Sequence, residues 1–190
     1  MNAPYNLTER RTAKLTVDDF LLLDRAGAFA GYAKTELING AIIVVNAQYA
    51  LHMRVKVRLL LRLADVCKTL GGGLEAWSEG SIDMAPHSMP EPDLFITNAT
   101  PTNGPIRLDS LVLVGEVADS TVKDDLGEKA ELYALRGIPE YWVVDLPGNL
   151  IHQMWSPSAA GYAERREYRL GDRIDAATVA GLGMETAGLV

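Results

Sequence analysis

The feature that most constrains this chain is Leu111-Val112-Leu113-Val114, an uninterrupted apolar run that leads straight into Gly115-Glu116-Val117. A strand with one wet face alternates apolar and polar residues, whereas a continuous run belongs to a strand buried on both faces. Tyr141-Trp142-Val143-Val144-Asp145 has the same character. Between the two runs, a helical stretch opens near Asp124 and Asp125, passes through Leu132 and Tyr133, and stops at Gly137 with Pro139 just beyond. Glycine after a last turn and proline beyond it are ordinary helix stops.

The N-terminal half supplies further elements. Thr16 is a plausible N-cap for a helix running through Val17-Asp18-Asp19-Phe20 to Leu23, with acids in the first turn suiting the dipole. Asn39-Gly40 stands between the β-branched runs of Thr35–Val45, which predicts a two-residue hairpin with Glu36 on its first strand. From about Gln48 to Leu70 the period is helical, ending at Gly71-Gly72-Gly73. Met53, Val57, Leu60, Leu61 and Ala64 form its apolar stripe, widened by Leu51, Val55, Leu59 and Leu63. Arg54, Arg58 and Arg62 recur every fourth residue on another face, as a solvated face or a phosphate-contacting stripe. The triple glycine lacks the lysine and hydroxyl residue of a phosphate loop and follows no strand. Short strands follow at Leu74–Trp77, Ser81–Met84 and Asp93–Thr97, and later at Leu150–Trp155 and Tyr162–Leu170. The tail from Asp172 is weakly patterned.

This order predicts an α/β (α+β) fold, a central mixed sheet flanked by helices. With 190 residues, 48 % of them hydrophobic, the chain suits a single domain over 1–190. Its core spans about 16–155, after a flexible segment 1–14 and before a short β-rich C-terminal extension. No apolar run reaches the roughly 20 residues that cross a bilayer, and Met1–Lys14 lacks the apolar core of a signal peptide. The one cysteine, Cys67, lies among apolar neighbours and reads as an inert buried thiol. A cytoplasmic location is the expectation. The net charge of −7 weighs against tight non-specific binding of nucleic acid, which needs a basic face.

Asp93 begins a strand after Pro90-Glu91-Pro92, and Glu116 ends a wholly apolar one, so both acids sit where carboxylates are expensive. Either could simply reach water from a strand end. Lys129 lies at the edge of the helix face formed by Leu126, Ala130 and Tyr133, leaning toward the packed side, or else pairs with Asp125 four residues earlier. Two carboxylates and a lysine suit phosphodiester hydrolysis. Hard oxygens hold Mg²⁺ through few protein ligands, and a lysine can position a water and offset transition-state charge. Glu36 could add a third acid. Tyr133, Tyr141 and Trp142 read as core.

Several blocks together resemble the Uma-two family of restriction-endonuclease-like proteins. They are Glu36-Leu37-Ile38-Asn39-Gly40, His52, Pro90-Glu91-Pro92-Asp93-Leu94 and Leu113 to Thr121. Asp125-Leu126-Gly127-Glu128-Lys129, Leu132-Tyr133-Ala134 and Gly137 to Asp145 complete the set, in the family's order. The resemblance implies a PD-(D/E)XK-type core with Asp93 and Glu116 as metal ligands and Glu36 as a further ligand or base. Such cores carry a lysine two residues after the glutamate; here that place is Ala118, and Lys129 looks like a migrated replacement. Asp125 and His52 are implied as neighbours of the site, although a lone helix histidine often serves only as a cap or packing group. Ala41 stands where an acid commonly follows the hairpin glycine.

The resulting expectation is an endonuclease using Mg²⁺ (or Mn²⁺) to cleave DNA, as a homodimer if both strands are to be cut. A nuclease-fold binding or assembly module, and a metal-dependent hydrolase of another phosphate ester, are the alternatives.

Overall fold

Thr16 caps the first helix as its sequence predicts. Its hydroxyl accepts the Asp19 N–H at 3.2 Å, and the Asp19 carboxylate accepts the Thr16 N–H at 2.9 Å. This reciprocal box satisfies two N–H groups that the helix itself cannot. The computed structural model describes residues 12–45 and 49–190. Most of the expected flexible segment 1–14, and the predicted helix start at Gln48, lie outside the described residues.

The chain gathers into two compact units. The smaller takes in the described residues up to 45 together with Met84–Met89, and holds helix α1 (Val17–Arg25) and the hairpin β1 (Lys34–Ile38) and β2 (Ala41–Val45). Asn39 and Gly40 both adopt positive φ, 51° and 86°, the backbone of the tight hairpin turn that Asn-Gly favours. Val17, Phe20, Leu37 and Met89 form this unit's core, with Phe29 stacked on Phe20 at 5.1 Å.

The larger unit begins with α2 (Ala50–Leu70), then β3 (Glu75–Trp77), β4 (Ile82–Asp83), β5 (Leu94–Thr97), β6 (Ile106–Arg107) and β7 (Leu111–Ala118). Next, α3 (Val122–Asp124) passes through a π-helical turn at Asp125–Lys129 into α4 (Ala130–Leu135). The chain ends with β8 (Glu140–Asp145), β9 (Leu150–Ser158), β10 (Gly161–Arg169), β11 (Arg173–Asp175) and β12 (Gly183–Glu185). Six strands form one mixed sheet in the order β10-β9-β8-β7-β5-β3, with β7 and β8 parallel and the other neighbours antiparallel. The two continuous apolar runs are its central pair, buried on both faces as expected.

The structure corrects the reading of α2. Its inward stripe is His52, Val55, Lys56, Leu59, Leu63 and Cys67, whereas Met53, Val57 and Leu61 are exposed. The helix is apolar over much of its circumference, so hydropathy alone does not choose the inward face. The face chosen is the one on which Val55, Leu59, Leu63 and Cys67 join the core of the sheet and the C-terminal segment. The C-terminal segment also carries more structure than its weak pattern suggests. Ile174, Leu182, Met184 and Leu189 are buried against Val55, Leu59 and Leu63 and the sheet residues Leu113, Val117 and Trp142. No helix among the described residues is long and apolar enough to cross a membrane.

Candidate active site

Strands β5 and β7 pair with Leu94 opposite Gly115, so the next cross-strand pair is Asp93 and Glu116. At this point side chains take over from the backbone ladder. The Asp93 N–H donates to Glu116 Oε2 at 3.2 Å, and the Val117 N–H donates to Asp93 Oδ2 at 2.8 Å. Each acid thereby caps an N–H beyond the end of the β5–β7 pairing, which fixes both carboxylates in place. Gly115 leaves room for the Leu94 side chain across this pair: a Cβ there would lie 2.8 Å from Leu94 Cδ1. Asp93 and Glu116 are 4 % and 3 % exposed, so their charges must be met by protein donors or by a bound cation.

Helices from the two sides supply those donors. From the π-helical turn, Lys129 Nζ reaches Glu116 Oε1 at 2.9 Å and stands 3.8 Å from Asp125 Oδ1. One turn later, the Tyr133 hydroxyl donates to the same Glu116 oxygen at 3.1 Å. Asp125 is itself held, with the Thr121 hydroxyl donating to Oδ2 at 2.6 Å and the Tyr141 hydroxyl to its backbone carbonyl at 3.0 Å. Burial, followed by the charges of Glu116 and Asp125, pushes the Tyr141 phenol well above its ordinary range, so it stays a donor. From α2, His52 Nε2 lies 3.1 Å from Asp93 Oδ2 and Lys56 Nζ lies 3.7 Å from Oδ1. Burial opposes the His52 imidazolium, but the hydrogen bond and charge of Asp93, with help from the Val117 backbone, outweigh it and raise the pKa. The result is two buried carboxylates, each with a lysine beside it, at the end of a sheet.

A family model described as "Putative restriction endonuclease", Uma2, matches residues 17–187. The chain belongs to the Uma2 family. Its fold is similar to the solved structure of "a putative nuclease belonging to DUF820 from Anabaena variabilis", with a TM-score of 0.69 at 15 % identity. That match covers 92 % of this chain and 97 % of the other, and at such identity it speaks for the fold alone. No curated protein matches the sequence.

Of the residues singled out in this Uma2 chain, Asp93, Glu116, Lys129, Asp125 and His52 meet at one place in the larger unit. Glu36 is buried on β1 in the smaller unit, paired in register with Ile43. The arginine stripe is divided in use. Arg62 donates to the carbonyls of Glu185 and Ala187 at 2.6 and 2.8 Å, and Arg58 to that of Gly188, so both guanidinia hold the C-terminal segment. Arg54 is exposed. Three residues of the site lie beyond what the sequence pattern predicts. Tyr133 reads as core from sequence, and it is fully buried, yet its hydroxyl faces Glu116. Lys56 and Glu79 have no place in the sequence-based expectation. The signal for the two helix residues is spacing: Tyr133 follows Lys129, and Lys56 follows His52, by one turn.

Proposed function

We infer that this protein is a metal-dependent endonuclease that hydrolyses DNA phosphodiester bonds, with Asp93 and Glu116 as the ligands for Mg²⁺ or Mn²⁺. What carries the reading is the buried cross-strand pair Asp93–Glu116 with Lys129 Nζ 2.9 Å from the glutamate. The donor set suits a hard divalent ion. Asp93, Glu116, Asp125 and Glu79 bring four carboxylates against the ammonium groups of Lys56 and Lys129, an excess of two negative charges, or of one with His52 as the imidazolium that Asp93 favours. Among the described residues there is no group of three or more His, Cys, Asp or Glu arranged to hold a metal. Mg²⁺ needs no such group, since it keeps several waters and binds through one or two carboxylates. When bound, such an ion supplies a water of lowered pKa and charge stabilisation at the phosphate.

The chain's own groups do the rest. The two N–H bonds along the Asp93–Glu116 pair pre-orient both carboxylates before any substrate arrives. Tyr133 and Lys129 fix the other glutamate oxygen, and Lys129 can donate to an attacking water or a phosphate oxygen, the task of the lysine absent at Ala118. Cutting both strands with one such site per chain takes two copies, and a homodimer is part of this reading.

One observation favours a second reading, a nuclease-fold binding module. Glu116 Oε1 already has two protein donors, and Asp93 Oδ2 has the Val117 N–H and His52, so both carboxylates are partly satisfied without any ion. Incubating supercoiled plasmid with the protein and Mg²⁺ or Mn²⁺ separates the two. Nicking that disappears with EDTA and in Asp93→Ala, Glu116→Ala and Lys129→Ala is the expected outcome. Intact plasmid with folded wild-type protein in both metals would leave the binding module.

A further inference from the structure

Lys56 takes no step in the reading above, yet it is placed at considerable cost. It is 6 % exposed on the inward face of α2, between Val55, Leu59 and Leu63, where an apolar residue would be cheaper. Asp93 and Glu79, both near its ammonium, are carboxylates of different kinds. Asp93 Oδ1, at 3.7 Å, belongs to a buried acid tied to the Val117 N–H. Glu79 Oε1, at 2.6 Å, belongs to a side chain that is 49 % exposed, in the loop between β3 and β4. Glu79 also takes a left-handed backbone, φ 55°, which a non-glycine residue adopts at a local cost. An exposed carboxylate held in that way over a buried ammonium is an anion that another anion can replace.

We propose that Lys56 is the second phosphate-binding lysine of the site, and that Glu79 holds its ammonium until a phosphate of the nucleic acid takes the carboxylate's place. The proposal rests on the nuclease reading and deepens it. Lys129 then serves Glu116 from one helix as Lys56 serves Asp93 from the other. Exchanging one anion for another leaves no buried ammonium uncompensated along the way.

The test is fluorescence anisotropy of a labelled DNA duplex in Ca²⁺, over about 50 to 200 mM salt. Wild type is compared with Lys56→Gln, Lys56→Arg, Glu79→Gln and the Lys56→Gln/Glu79→Gln pair. Losing one phosphate contact lowers the slope of log affinity against log salt by about 0.9, so the Lys56→Gln deficit should shrink by about 3.5-fold across that range. Lys56→Arg should keep the wild-type slope. Glu79→Gln should bind more tightly, and that gain should vanish in the double variant. A lysine that merely supports the fold would change stability and leave the slope alone. An unchanged slope in Lys56→Gln, with metal-dependent cleavage by the wild type intact, overturns the role of Lys56 and spares the nuclease reading. Should Lys56→Gln not fold, Glu79→Gln decides, and no gain in its affinity overturns the exchange. Wild type that neither binds nor cuts DNA overturns both.

Discussion

Tyr133→Phe removes one oxygen atom and isolates a single link in the site. The ring is fully buried and packs edge-on against Tyr141 with centroids 4.9 Å apart, contacts that phenylalanine preserves. What disappears is the hydroxyl that donates to Glu116 Oε1 at 3.1 Å. Hydrogen bonds to charged groups contribute about 1.5–3 kcal/mol, and the carboxylate here is buried, so water does not readily replace the lost donor. In a domain of this size, about 2–4 °C of melting temperature follows each kcal/mol, which predicts a fall of roughly 3–12 °C. Urea unfolding should show the midpoint moving at constant m, because the exposed area does not change. Removing a group that orients a metal ligand typically costs about 10–100-fold in metal affinity or activity, and plasmid nicking should fall within that range. The decisive control is the same change made in Glu116→Ala, where the bond to the carboxylate is already gone and that part of the stability cost should vanish. Equal costs in the two backgrounds would refute the hydrogen bond as the cause, and with it the account of how Glu116 is held.

Two further outcomes follow from packing. Gly115→Ala places a Cβ 2.8 Å from Leu94 Cδ1, so the buried Leu94 side chain, or the strand that carries it, must give way next to Asp93; overpacking of this kind costs about 1–3 kcal/mol, and nicking should drop more steeply than the melting temperature indicates. Nicking at the wild-type level would show that the packing of Leu94 over Gly115 is irrelevant to the carboxylate pair. Leu189→Ala, at a fully buried position beside the last residue, should cost about 2–5 kcal/mol in chemical denaturation. A loss below about 0.5 kcal/mol, the size of an ordinary surface effect, would mean that the C-terminal segment does not belong to the core.

Much of the local structure is legible in the chain itself. The Thr16 box, the Asn39-Gly40 turn and the two apolar central strands depend on residues within a few positions of one another, so the sequence alone determines them. Asp93, Glu116 and Lys129 stand out for a related reason, because charge placed beside apolar runs is conspicuous in one dimension. The site itself is a product of register. Pairing Leu94 with Gly115 is what sets Asp93 beside Glu116, and no local pattern specifies that pairing. The tertiary structure also chose the inward face of α2, turning His52 and Lys56 toward Asp93 and leaving Met53, Val57 and Leu61 to solvent. It gave Tyr133 a polar task inside the core, and drew Arg58 and Arg62 onto a C-terminal segment more than a hundred residues away. Hydropathy says how much of a side chain is to be buried, whereas the partner waiting for its one polar atom is set by elements distant in sequence.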